Sequence, residues 1–186
     1  FSSDAHMSGL LGLAVDPEFV NNQFVYLMYT YAEDFTREPH SQSPYERRVL
    51  SRISRFSFTE NSIIAETILI DKIPGTVQHT GGRLEFGPDG KLYATTGSTP
   101  GTSSIEDSDS LEGKILRLNS DGSVPNDNPI VGSYVYTSGH RNPQGMAWLN
   151  NDMYASEHGP WRHDEINYII PGLNYGWKKG YVCDEF

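Results

Sequence analysis

Cysteine is almost missing from this 186-residue chain. Its one thiol, Cys183, has no partner within the sequence, so no internal disulfide can form. A bond to a group outside the chain and a free thiol near a terminus are both open readings, and the count decides no compartment. Basic charge is scarce as well: 14 Lys and Arg face 24 Asp and Glu, for a formal charge of −10 and a pI near 4.9. That balance argues against a nucleic-acid partner, which needs a basic stripe, and equally against an anionic membrane surface. Long apolar runs are lacking, since none approaches the ~20 residues that cross a bilayer. The apolar stretch Gly9–Val15 is too short for a signal-peptide core and has no basic leader. The N-terminus therefore reads as already processed or truncated. No amphipathic helix of convincing length is visible.

What the chain does have is glycine (18), tyrosine (11) and a hydrophobic fraction of 37%, which suit one globular domain of short strands and tight turns. Leu10–Phe19 reads as a buried strand followed by a turn at Asp16-Pro17, and Phe24–Thr30 as a second strand. Tyr31–Tyr45 is a polar surface loop. Arg48–Phe58 alternates as a half-solvated strand, with Val49 out of phase, and Ile63–Ile73 is a strand ended by Pro74-Gly75. Pro88-Asp89-Gly90 marks a hairpin within Gly82–Gly97. Further strands are expected at Lys114–Leu118, Tyr134–Thr137, Gly145–Leu149, Asp152–Ser156 and Glu165–Ile170, with turns across Asn119–Pro129.

A repeat underlies this order. Leu13-Ala14-Val15, Leu84-Glu85-Phe86 and Met146-Ala147-Trp148 each open a strand, a turn and a second strand with tyrosine. Their glycines Gly12, Gly82 and Gly145 are spaced by 70 and 63 residues. Four strands with long loops fill that period, so the economical fold is all-β, a β-propeller of which this chain covers about three blades. A sandwich is the alternative. Propellers close with roughly four to eight blades, so residues 1–186 read as a partial propeller lacking N- and C-terminal blades, with apolar flanks exposed at each end.

The richest chemistry lies between Tyr136 and Trp177. His140, Arg141 and Asn142 stand between Gly139 and Pro143, and Glu157, His158, His163, Asp164 and Glu165 follow on a second loop. Polar groups on strand-connecting loops are how rigid scaffolds usually build sites. Solvated loop tips are the plainer reading, and His158 with His163 also admits a transition-metal pair.

Five segments, in order, resemble one family: G-L-L-G-L-A-V-D-P-E-F at Gly9–Phe19, H-T-G-G-R-L-E-F-G-P-D-G-K-L-Y at His79–Tyr93, G-K-I-L-R-L-N-S-D-G-S-V-P-N-D-N-P at Gly113–Pro129, G-H-R-N-P-Q-G at Gly139–Gly145, and D-E-I-N followed by G-L-N-Y-G-W. They are similar to the glucose/sorbosone dehydrogenases, soluble aldose dehydrogenases dependent on pyrroloquinoline quinone. The resemblance implies a six-bladed propeller that moves a hydride from sugar C1 to the quinone with the help of Ca²⁺. It assigns the proton-accepting role to His79, whose imidazole titrates near ~6.5 when unperturbed. Arg141 and Asn142 match cofactor contacts, a guanidinium being suited to the carboxylates and carbonyls of the quinone and to charge on it. Gly159 and Pro160 match backbone carbonyls that hold the cofactor-bound Ca²⁺. Glu165 and Tyr175 match a second Ca²⁺ site, through a carboxylate and a carbonyl, donors of the kind Ca²⁺ prefers.

The resemblance further implies a sugar substrate, an external electron acceptor, the remainder of the propeller as a partner, and a periplasmic or extracellular location; a homodimer stays open. Departures are Met7 where Gln or Glu is common, Gln78 before the histidine, and Trp161, Arg162 and His163 in a loop usually small and acidic. The basic clamp on the cofactor's far side is expected beyond Phe186. Two other classes compete. A non-catalytic propeller would keep the fold for protein recognition. A calcium-dependent lactonase would need a carboxylate–asparagine cluster, for which no clear spacing is present. A serine hydrolase lacks its G-x-S-x-G.

Overall fold

The computed structural model describes residues 9–33, 48–75, 79–98, 104–160 and 162–177. Three antiparallel sheets account for nearly all of the regular structure among them. The first holds β1 (Leu10–Val15), β2 (Phe24–Glu33), β3 (Arg48–Thr59) and β4 (Ser62–Pro74) in that order. The second holds β5 (Gly81–Phe86), β6 (Leu92–Thr96), β7 (Ile115–Leu118) and β8 (Val135–Thr137), and the third β9 (Pro143–Leu149), β10 (Asp152–Glu157) and β11 (Glu165–Ile169). Each strand pairs with its sequence neighbour, so every sheet is a meander. The first strands of successive sheets, β1, β5 and β9, lie side by side. Meanders repeated about their first strands are the blades of a β-propeller.

The three repeat units read in the sequence are these three blades. Their glycines have a steric reason. A Cβ added at Gly12 would lie 2.2 Å from the Gly82 carbonyl oxygen, and one at Gly82 would lie 2.6 Å from Leu11 Cβ. The inner strands of blades one and two therefore approach backbone to backbone.

Blades pack face to face over two apolar layers. Between the first and second blades lie Tyr26, Met28, Ile53, Leu92, Leu116 and Leu118, all fully buried. Each such side chain contributes about 1.5–3 kcal/mol by leaving water. Tyr93, Ile115, Met146, Met153 and Ile169 fill the second layer. Polar ties within blades one and two flank these layers. The Tyr26 hydroxyl donates to Asp16 Oδ2 at 2.6 Å, and Arg117 donates to Asp89, Asp127 and Asn128 at 2.8–3.1 Å.

Two expectations need correction. β1 is not a buried strand: Leu10, Leu13 and Val15 are 66%, 55% and 50% exposed, and only Ala14 is in the core. One face of β1 packs toward β5 while its apolar opposite face looks outward. Nor does β3 alternate strictly. Ser51, Ile53 and Ser54 are all buried, because β3 is an inner strand of its sheet, paired with β2 in unbroken register and with β4 on its other side. A four-residue helix α1 (Phe19–Asn22) follows the Asp16-Pro17 turn. The loop read at Tyr31–Tyr45 is strand as far as Glu33, and its remainder lies outside the described residues.

Candidate active site

The candidate residues gather at one end of the blades. His79 leads into β5, Ser98 follows β6, Arg141 and Asn142 lead into β9, Glu157 closes β10 and Glu165 opens β11. Antiparallel meanders bring the start of each first strand to the same end as the finish of each second strand. Residues distant in sequence therefore share one rim.

The 79–81 and 140–142 segments meet directly. The Gly81 N–H donates to Asn142 Oδ1 at 3.0 Å, and the Ser98 N–H donates to the Arg141 carbonyl at 2.8 Å. His79 is half-buried and sits in the field of Arg141. Burial first, then the Arg141 charge and the nearby His158, hold its imidazole below the usual histidine range, against the opposing effect of a hydrogen bond with the Ser98 backbone. Arg141 donates from Nη1 to the His158 carbonyl at 3.0 Å, and its guanidinium carbon lies 5.4 Å from the Trp177 ring centroid. The indole N–H of Trp177 donates to Ser98 Oγ at 3.1 Å. A neutral imidazole, a guanidinium and an indole thus share one wall.

Beneath that wall lies a buried carboxylate to which the sequence assigned no role. Glu157 Oε1 accepts the backbone N–H groups of both Arg141 and Asn142, the latter at 3.1 Å. Glu157 Oε2 lies 2.9 Å from His140 Nδ1, and His140 Nε2 lies 2.8 Å from the Thr137 hydroxyl. With a carboxylate as acceptor, Nδ1 carries the proton and Nε2 faces the hydroxyl. His140 is fully buried and stacks on Tyr175 with ring centroids 4.7 Å apart. The signal for Glu157 was its place at the end of a strand opposite G-H-R-N; nothing in spacing alone distinguished it from His158 or Asp164.

The remaining candidates adjoin this network to different degrees. The His158 N–H donates to the Asn142 carbonyl, which carries the chain straight into Gly159 and Pro160. Gly159 N–H donates to Asp164 Oδ1 at 3.0 Å, and the Pro160 carbonyl accepts the Arg162 N–H at 2.5 Å. A Cβ at Gly159 would lie 2.2 Å from the carbonyl oxygens of both Arg162 and His163. The turn is thus a cradle of backbone oxygens, a donor set that fits Ca²⁺ and suits a softer metal poorly. Glu165 is exposed and accepts Asn167 Nδ2 at 3.2 Å. The Tyr175 backbone is tied to Ser138, while its hydroxyl donates to the Tyr168 carbonyl at 2.6 Å. No cluster of three or more His, Cys, Asp or Glu able to hold a metal occurs among the described residues, and His158 pairs with Asp164 at 3.7 Å. Met7, Gln78, Trp161 and Cys183 lie outside the described residues.

A cavity of about 450 Å³ lined by Asp89, Tyr93, Tyr136, Trp148, Asp152 and Tyr168 opens at the other end of blades two and three. Apart from Tyr168, whose carbonyl accepts the Tyr175 hydroxyl, it shares no residue with the site above.

The described residues therefore form three blades of a β-propeller with a polar, loop-built site at one end. The chain belongs to the glucose/sorbosone dehydrogenase family, whose sequence pattern matches residues 3–185. It is 36% identical over 202 residues to quinoprotein glucose dehydrogenase B of Acinetobacter calcoaceticus, covering 95% of this chain and 41% of that protein. Aldose sugar dehydrogenase YliI of Escherichia coli is 31% identical over 179 residues, covering 91% of this chain and 46% of the relative. In three dimensions the chain is similar to the PQQ-bound form of aldose sugar dehydrogenase from Streptomyces coelicolor, with TM-score 0.78, 40% identity, and coverage of 91% and 48% of the two chains. The chain thus spans less than half the length of these relatives.

Proposed function

We propose that this chain supplies part of the site of a sugar dehydrogenase that oxidises the C1 hydroxyl of an aldose to the lactone. The observation that carries the reading is the meeting of His79 with Arg141 and Asn142 across blades two and three. Bound pyrroloquinoline quinone would supply the two-electron acceptor, and Ca²⁺ would polarise it. His79, neutral near pH 7, accepts the proton of the C1 hydroxyl as the C1 hydrogen departs with its electron pair. Arg141 and Asn142 bind and orient the cofactor. The guanidinium fork pairs with carboxylate or carbonyl oxygens, and the Trp177 ring packs against it.

The carbonyls of Gly159 and Pro160 are the residues to hold the cofactor-side Ca²⁺. The carboxylate of Glu165 and the carbonyl of Tyr175 are those for a second ion. The quinone's planar, anionic ring system fits a wall made of one guanidinium, one imidazole and one indole. The reaction calls for an external electron acceptor. The exposed apolar faces at Leu10, Leu13 and Val15 and at Leu149, Ile166 and Tyr168 suit further blades of the same propeller. A periplasmic or extracellular setting accords with the resemblance.

The test uses the intact protein that contains this chain, reconstituted with pyrroloquinoline quinone and Ca²⁺. Dye reduction is followed with several aldoses, and quinone uptake by its spectral shift. Saturable, aldose-dependent reduction supports the reading. Absence of both turnover and quinone uptake would replace it with a non-catalytic recognition propeller.

A further inference from the structure

We infer that Glu157 is the positioning residue of this site: one buried carboxylate fixes the backbone from which both Arg141 and Asn142 project. The inference rests on the reading of Arg141 and Asn142 as cofactor contacts. Three observations carry it. First, Glu157 is 7% exposed at the end of β10, and a buried carboxylate is held only by dedicated donors. Second, those donors are the consecutive N–H groups of Arg141 and Asn142 on one oxygen, with His140 Nδ1 and, at 3.4 Å, Asn167 Nδ2 on the other. Residues 140, 141 and 142 are thus all held from a single side chain. Third, the loop lies between β8 and β9, and its two amides find this acceptor instead of a strand partner.

The geometry makes Glu157 a hinge between two parts of the site. Its own chain runs on through His158 to Gly159 and Pro160, and the His158 N–H and carbonyl bond Asn142 and Arg141 in turn. The two loops are therefore bonded to each other in both directions. Glu157 touches no position open to substrate, so it acts through its neighbours. Without it, two amides and an imidazole lose one common acceptor, and the pair of side chains that face His79 loses its fixed aim.

The test compares E157A, E157Q and the core variant M153A in the intact protein. Met153 is 3% exposed in the layer between blades two and three and serves as a control for loss of stability alone. Hydrogen exchange is read at the Arg141 and Asn142 amides in cofactor-free protein, and quinone affinity is read by spectral titration. E157A is expected to speed exchange at both amides and to weaken quinone binding about 10–100-fold, with M153A changing neither. E157Q restores both, because its amide oxygen still accepts the two N–H groups. Its NH₂ now faces His140 and drives the imidazole to the Nε2–H tautomer, visible in the ¹⁵N shifts.

Unchanged exchange at residues 141 and 142 in E157A overturns the inference. So does quickened exchange with unaltered affinity in a protein that binds quinone. A wild-type protein that takes up no quinone overturns the functional reading instead, and the exchange arm still decides whether Glu157 holds the loop. If E157A does not fold, E157D replaces it, since the shorter carboxylate cannot reach all of these donors.

Discussion

The side-chain oxygen of Asn142 accepts the backbone N–H of Gly81, 61 residues earlier, at 3.0 Å. This bond ties the loop bearing His79 to the loop bearing Arg141. Asn142 is 2% exposed, and its loss strands the part-buried Gly81 donor. Asn142→Ala should lower stability by about 1–3 kcal/mol, read by chemical denaturation, and should weaken quinone binding in titrations below the melting range. Unaltered affinity would mean that the two loops hold their positions without it.

His79→Ala should cut turnover by about 10²–10⁴-fold, the range of a positioned general base, while leaving quinone uptake close to wild type. Single-turnover reduction of the loaded protein separates the two effects. Turnover within threefold of wild type would remove the proton-accepting role from His79.

The pH profile follows from the same residue. The neutral imidazole is the working form, and burial with the Arg141 charge depresses its pKa. Activity measured as kcat/KM should fall only as the pH drops below ~6.5, the ordinary histidine value. Arg141→Gln removes a positive neighbour, so the His79 pKa rises and the acid limb moves to higher pH. An NMR titration of the His79 ring in cofactor-free protein checks the shift apart from catalysis.

Arg117 is a polar pin within blade two, tying β7 to the β5–β6 turn and the β7–β8 loop. Its side chain is 6% exposed and bonded to Asp89, Asp127 and Asn128. Arg117→Ala should destabilise by about 1–3 kcal/mol, the range for leaving a buried acceptor such as Asn128 Oδ1 unsatisfied. The guanidinium holds the Asp127 carboxyl down at about 2. Its contribution is therefore complete above the ordinary carboxylate range and disappears as the pH falls through about 2. Wild type and Asp127→Asn should differ in thermal stability at pH 6 and converge at the acid end.

Gly12→Ala should destabilise by about 1–3 kcal/mol through overpacking, because the added methyl would sit 2.2 Å from the Gly82 carbonyl oxygen. A calorimetric melting scan of the variant checks it. Gly90→Ala is the contrast. No atom lies within 4 Å of that added carbon, and only its φ of +71° resists the change.

Much of this was legible in the order of residues. The Gly12, Gly82 and Gly145 spacing announced the three blades, and Pro88-Asp89-Gly90 announced the β5–β6 hairpin. The burial of β1 was misread because Leu10-Leu11-Gly12-Leu13 is apolar on both faces, and composition does not say which face a neighbour covers. In β3 the burial of Ser51 and Ser54 was invisible, since small polar residues on an inner strand leave no apolar mark in the sequence. At the site, His79, Arg141 and Asn142 stood out through resemblance. Glu157 did not, because its role depends on two amides that carry no side-chain signature.

The contact between Gly12 and Gly82 lies at the inner strands, far from the long β3–β4 ribbon of 12 and 13 residues. Spacing between blades one and two is therefore set at the hub, by two bare backbones. The rim is free to lengthen or shorten: β7 and β8 manage with 4 and 3 residues where β3 and β4 take 12 and 13. Evolution can thus decorate the periphery of such a ring without changing the angle at which its loops face one another across the centre.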